Sequence, residues 1–315
     1  MTQVLITIDT ELSAALFQAG ADADANFARS INCDGYGVGW QMDRLDRYDL
    51  TGVFFVDPMP ALVYGPDVIA RIVELIVARG HEAQLHLHPE WLAWADTQPV
   101  GDRRGRSIGD FSLDDQVILI TLARQMLIDA GAPPPTAFRA GNYGANDDTL
   151  RALAGLGLRW DSSFNPTCLG DPCHIGLTAD QIDPVERLGM TEMPVSAIED
   201  RPGHLRHAQV CAASATEMTD ALCHAAATKR PAFTIVTHSF EMMSRDRKRA
   251  NRTVMKRFDA MCAAVARHPD LVSSGFSNLE LSPATTPPAR LSPSYGRTVR
   301  RFAEQAFATL AYERR

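Results

Sequence analysis

The stretch GHEAQLHLHPEW, residues 80–91, holds His81, His86 and His88, a third of the nine histidines in the chain. EAQLHLH alternates as a strand does, and in a strand residues two apart point to the same face. His86 and His88 therefore project together, while His81, five places earlier, projects from the opposite face. Two imidazoles on one face suit Zn²⁺ or a similar divalent ion. The plain alternative is a pair of histidines at a solvated strand end. DTE, residues 9–11, adds Asp9 and Glu11, again two apart at a strand end. One carboxylate could complete a His-His-carboxylate set with open positions for water and substrate, and the other could act as a base toward that water.

These side chains need a scaffold that brings strand ends together. Short β-branched runs alternate with longer amphipathic ones: strands at 4–9, 52–57, 82–88, 136–140, 158–163, 191–196 and 232–238, and helices at 39–50, 66–80, 113–131, 146–157, 215–228 and 254–267. Asn146 is placed to cap the fourth helix. This alternation predicts an α/β fold, a parallel sheet or barrel with helices outside, whose chemistry gathers at the C-terminal strand ends. Asp9, His88, Arg139 and His238 each close a strand, and Asp161 lies just past the middle of a fifth.

At 315 residues and 45% hydrophobic, the chain can bury a large core. Its net charge of −7 counts against a nucleic-acid or anionic-membrane partner, since both need a basic face. No run reads as a transmembrane span, and MTQVLITID lacks the features of an export signal, so the expected location is the cytoplasm. The six cysteines include no CxxC pair, and reduced thiols are expected. Cys168, Cys173 and His174 could form a zinc corner only with a fourth ligand, and none stands nearby.

In order along the chain, TIDTEL, GHEAQLHLHPEW, FRAGNYG, RWDSSF and FTIVTHSFEM resemble the five motifs of the polysaccharide (NodB-type) deacetylases, the carbohydrate esterase family 4-like proteins. The resemblance spans roughly residues 4–245. It implies a distorted (β/α) barrel and metal-dependent hydrolysis of a carbon–nitrogen amide bond. Asp9 matches the family's base and Arg139 the arginine that pairs with it. Glu11 stands for the metal-binding carboxylate, one residue further on than in many members. His86 matches the first metal histidine. The second normally follows after four residues, where this chain has Glu90, and His88, followed by proline as in the family, takes its place in a shortened motif. Tyr143 sits where a backbone N–H helps bind the oxyanion. His238 matches the general acid and Asp161 the carboxylate that orients it.

The resemblance implies a divalent cofactor, taken as Zn²⁺, and a substrate that is an N-acylated sugar in bacterial polysaccharide metabolism. The alternatives are a small cyclic amide or a metal-free carbohydrate-binding barrel. Trp91, Trp94 and Phe111 are either a sugar-stacking platform or loop packing. His204 and His207 read as surface residues, and residues 244–252 as a solvated loop. Residues 1–281 form the expected catalytic domain. Residues 282–315 comprise a Pro/Ser-rich linker and an amphipathic helix, with an apolar stripe of Val299, Ala303, Phe307 and Leu310, widened by Phe302 and Ala306, that should dock on its own barrel or on a second subunit; the reach of the linker favours a second subunit, as a homo-oligomer.

Overall fold

The run Thr2–Thr10 forms β1, buried along nearly its whole length. A strand that has left water on both faces must be covered on both. The structure, a computed structural model, describes residues 1–282 and 289–313. It covers β1 with helices on the outside and an apolar barrel interior on the other side. Along the chain follow α1 (Val38–Arg47), β2 (Gly52–Val56), α2 (Asp67–Val77), β3 (Glu82–Leu87), α3 (Leu113–Asp129), β4 (Ala137–Ala140), α4 (Asp147–Gly155) and β5 (Trp160–Asp161). Then come β6 (Val185–Arg187), β7 (Met190–Glu192), the hairpin of β8 (Ala197–Arg201) and β9 (His204–His207), α5 (Ala215–Ala227), β10 (Ala232–His238), α6 (Arg252–Arg267), β11 (Leu271–Ser273) and α7 (Tyr295–Ala308).

The sheet runs β10-β1-β2-β3-β4-β5-β7-β6, with β11 beside the start of β1. Its pairs are parallel apart from the β6–β7 turnback. The ends, β10 and β6, are not paired with each other, so the barrel is open. This is the barrel with helices outside that the alternating pattern allows, and the distorted (β/α) form that the resemblance implies.

Strand alternation sorts the side chains into two layers. Outward residues such as Ile6, Ile8, Phe54, Leu85 and Phe138 join the main core under the helices. Inward residues Leu5, Val53, Phe55, Ala137 and Trp160 form a smaller core inside the barrel. Toward the strand C-termini the inward rows turn polar. β1 reads Leu5, Thr7, Asp9, and β3 reads Gln84, His86. Registered neighbours share a face, so Asp9 beside His238 and His86 beside Arg139 all project into the barrel mouth.

Several elements differ from expectation. β5 ends at Asp161, not Ser163, because the Ala140 N–H that a longer ladder would use turns to the Ser163 hydroxyl. The Ser163 Oγ accepts from Ala140 N at 2.9 Å, and the Ser162 Oγ accepts from Arg139 at 3.0 Å. His204 and His207 lie on β9, and the His207 ring meets Asn165 and Thr167 at 3.2 and 3.0 Å, so His207 is not a free surface residue. Asn146 does cap α4, its side chain accepting from Thr149 N at 3.0 Å.

The terminal helix packs on its own chain through its polar face, and the apolar stripe expected to dock on a second subunit is exposed. Arg301 is fully buried and donates to Asp200 at 2.8 Å, where Thr298 Oγ1 also meets the Asp200 carbonyl. Glu304 accepts from Arg257 at 3.0 Å. Val299, Phe302, Phe307 and Leu310 face outward. Residues 283–288, within the Pro/Ser-rich segment, lie outside the described residues.

Candidate active site

The polar ends of β1, β3, β4 and β10 open into a cleft of about 590 Å³. At its floor Arg139, fully buried, holds Asp9 at 2.6 Å. The remaining guanidinium donors go to Thr7 Oγ1 at 2.8 Å, the Ser162 carbonyl at 3.1 Å and Ser162 Oγ at 3.0 Å. The Phe55 ring lies under the cation at 4.4 Å. Burial would raise the Asp9 carboxyl, but Arg139, aided by His86 and His238, holds it below the usual carboxylate value. Asp9 is therefore an anion whose position is fixed by a partner with three further hydrogen bonds.

Glu11, His86 and His88 each offer a ligand atom, all within 4.8 Å of one another, the arrangement expected of a metal set. His86 Nδ1 lies 2.7 Å from the Arg139 carbonyl, which can only accept, so this nitrogen carries the proton. Nε2 faces Glu11, at 3.7 Å from Oε2. His88 Nε2 stands 2.7 Å from the same carboxylate oxygen, yet neither of its buried ring nitrogens makes a well-directed hydrogen bond. Donor atoms this close, aimed past one another, suit a shared cation better than a hydrogen-bonded pair. This donor set, two imidazoles and one carboxylate, suits zinc or a similar ion. Burial would lower the His88 pKa, but Glu11 outweighs it and pushes it up to about 10. Burial likewise opposes Glu11, whose neighbouring imidazoles hold its carboxyl well below the usual range.

The backbone around this set is closely fitted. A Cβ on Gly141 would lie 2.6 Å from the His88 ring, so only glycine lets β4 pass there. Asn142 and Tyr143 follow with φ of 55° and 59°, a left-handed pair uncommon for residues with side chains. Their turn brings Tyr143 to the cleft wall. The tyrosine hydroxyl is held protonated, chiefly by burial and then by Asp9.

His238 faces Asp9 across the cleft, with Nε2 at 3.9 Å from Oδ2. Its other nitrogen, Nδ1, meets Glu241 Oε1 at 2.8 Å. Glu241, not Asp161, is therefore the carboxylate that orients His238. The reason is the strand register. Asp161 pairs with Phe138 and Glu192, on the outward face, whereas His86 and Arg139 point inward. Asp161 accepts instead from Ser163 Oγ at 2.7 Å and lies against Glu192, so that burial raises both carboxyls. Its place is beneath the Ser162–Ser163 turn that carries two of the Arg139 bonds.

His81 lies on the opposite face, 3.1 Å from Asp46. Trp91 and Phe111 are buried in the main core, and Trp91 packs edge-on to Phe17 and Trp94, so these rings are packing and not an open platform. Among the described residues Cys168, Cys173 and His174 form no metal-ligand group; Cys173 is in the core, and His174 lines the cleft.

Sequence reasoning missed Glu241 and Asp57. Glu241 was legible as a carboxylate three residues past His238, one turn after the strand end. Asp57 Oδ1 accepts from the backbone N–H of His88 at 3.4 Å and of Met59 at 3.1 Å. Burial raises its carboxyl to about 6 despite the neighbouring histidines.

If Glu11, His86 and His88 are the ligands, His86→Ala and His88→Ala should each lose most bound metal when purified without chelator, whereas His81→Ala and Glu90→Gln should keep it. Elemental analysis of the four proteins checks this. A Glu90→Gln protein that is empty beside a loaded His88→Ala protein would assign the second ligand to Glu90.

No protein-family model matches the chain, and no curated protein matches it. Solved structures do. One described as a polysaccharide deacetylase, from Mycobacterium smegmatis, superposes with a TM-score of 0.56 at 20% identity, covering 92% of this chain and 95% of that one. The Puue allantoinase gives a TM-score of 0.52 at 12% identity, with 88% of each chain covered. The architecture that positions these residues is therefore the distorted (β/α) barrel of the polysaccharide deacetylase, NodB-like, structures.

Proposed function

We propose that the chain is a metal-dependent hydrolase of a carbon–nitrogen amide bond, and that it removes the acyl group from an N-acylated sugar. The observation that carries this reading is the meeting of three groups in one cleft: the Glu11–His86–His88 donor set, the Asp9–Arg139 pair and the His238–Glu241 pair. Amide hydrolysis needs an activated water, a polarised carbonyl and a protonated leaving nitrogen. Glu11, His86 and His88 would hold a divalent ion, which would supply Lewis acidity toward the carbonyl and acidify water. Asp9 accepts a proton from the attacking water, because Arg139 keeps it ionised and fixed in place. The backbone N–H of Tyr143 supports the oxyanion. His238 donates its Nε2 proton to the departing nitrogen as the C–N bond breaks, leaving a carboxylate and an amine. Glu241 keeps the imidazole charged until that moment.

A second reading is a small cyclic amide as substrate, favoured by the fold shared with an allantoinase. The two differ in product. Chitooligosaccharides and N-acetylglucosamine derivatives assayed for acetate release, beside allantoin assayed for ring opening, separate them. Acetate release that is abolished by a chelator and restored by Zn²⁺ supports the first reading. Ring opening without acetate release supports the second, and neither activity in a metal-loaded protein would overturn the proposal.

A further inference from the structure

A net charge of −7 hides an uneven distribution. Between β10 and the first turns of α6, residues 245–257 carry seven basic side chains and one acidic one, Asp246. Arg245, Lys248, Arg249, Arg252 and Lys256 are exposed. The band is not a free loop. Arg247 donates to Ser30 at 2.7 Å and stacks over Phe240 at 4.1 Å, and Arg257 is anchored on Glu304.

Helix α7 lies directly beside this band. Arg249 reaches the Tyr312 carbonyl at 3.4 Å, and a hollow of about 570 Å³ is walled by Arg245 and Arg247 on one side and Gln305 and Ala308 on the other. The polar face of the helix is turned into the protein, where Arg301 is fully buried. The apolar face is turned to solvent: Tyr295 is 84% exposed, Val299 66%, Phe302 52%, Phe307 61% and Leu310 57%. Among the described residues, Met1 is the other large hydrophobic side chain more than half exposed. These five side chains offer on the order of 600 Å² of apolar surface, at the upper end of what a monomer leaves in contact with water.

Two properties thus meet where Arg245, Arg247 and Arg249 adjoin α7, and they select the occupant. A second copy could cover the stripe, but symmetric pairing through this face would bring two basic bands toward each other, and like charges oppose that. Nucleic acid would match the band and leave the stripe wet. A bilayer with anionic headgroups satisfies both, since basic side chains meet the headgroups while apolar ones enter the acyl boundary. We propose that the outer face of α7 and the basic band 245–257 together form a docking surface for an anionic lipid bilayer. The surface adjoins the cleft rim, because the Phe240 ring under Arg247 also packs at 5.4 Å from the His238 ring. The inference stands independently of the hydrolase reading.

The test is co-sedimentation of the full chain with vesicles of phosphatidylcholine alone or with roughly one-third phosphatidylglycerol, an anionic content that gives the surface a negative potential. Binding is expected to the anionic vesicles and to weaken with salt. Arg245→Glu with Lys248→Glu and Arg249→Glu should weaken it by about 100-fold, at about fivefold for each lost basic residue. Phe302→Ser with Phe307→Ser should also release the protein, while its thermal melting and circular dichroism stay unchanged. Equal binding to both vesicle types, or binding that survives the phenylalanine substitutions, would overturn the proposal. So would tighter binding to duplex DNA than to vesicles, or a dimer by light scattering that those substitutions dissociate.

Discussion

Asp9→Asn is expected to lower kcat by roughly 10² to 10⁴, the usual worth of a positioned general base, with metal content intact. The carboxylate is 3% exposed and held by Arg139 at 2.6 Å, so it enters the reaction already ionised and oriented. An asparagine oxygen can still accept that hydrogen bond, but it cannot take a proton from water. The change also leaves the Arg139 cation buried without its counter-charge, and breaking a buried pair costs about 3–5 kcal/mol when nothing replaces it. Here the Thr7 and Ser162 bonds remain, so a smaller fall in Tm is expected. The sign with pH follows from the depressed carboxyl: its stabilisation is present above the pKa of the unfolded chain and is lost as pH falls through the folded value. The wild type should therefore lose its advantage over the variant in acid. Near-normal turnover in a folded, metal-loaded Asp9→Asn protein would move the base to Glu11.

Much of this arrangement was legible in the sequence because it rests on strand periodicity. His86 and His88 share a face, and His81 does not, for the reason that any strand alternates. Asp9, Arg139 and His238 were legible because each closes an apolar run, and a parallel sheet brings such ends together. Asp161 owed its expected role to the family resemblance and not to this rule. Its strand is two residues long, and the register that turns it outward toward Glu192 depends on pairing with β4 and β7, which no local pattern encodes. Asp57 follows a buried strand but acts on the neighbouring strand's His88, a contact made across the sheet. The hairpin Ala197–His207 was missed because its charged, half-exposed strands carry no apolar alternation. Helix α7 is legible from its hydrophobic periodicity, but its packing on its own chain is not, because that packing rests on buried ion pairs of Arg301 with Asp200 and Glu217 on the polar side.

Glu241→Gln should displace the alkaline limb of kcat/KM toward lower pH, and Asp161→Asn should leave it in place. A general acid works only while protonated, so activity is present below its pKa and is lost as pH rises through it. Burial alone would lower the His238 pKa, but the hydrogen bond and charge of Glu241, then Asp9, push it up to about 9. Glutamine can still accept from Nδ1 but carries no charge, so the imidazole should titrate closer to the ordinary histidine value. At pH ~8.5 a fall of about two units would leave only a few per cent protonated, a loss of roughly 20- to 30-fold in kcat/KM, while near pH ~6 the variant should retain most of its activity. A purely structural lesion would lower the whole profile without moving the limb. His238→Asn should remove the limb altogether. Asp161 faces Glu192 on the far side of the sheet, so its removal should be felt in Tm through the Ser163 turn and not in the pH profile. A limb that moves with Asp161→Asn and stays fixed with Glu241→Gln would restore the role that the sequence resemblance gave to Asp161.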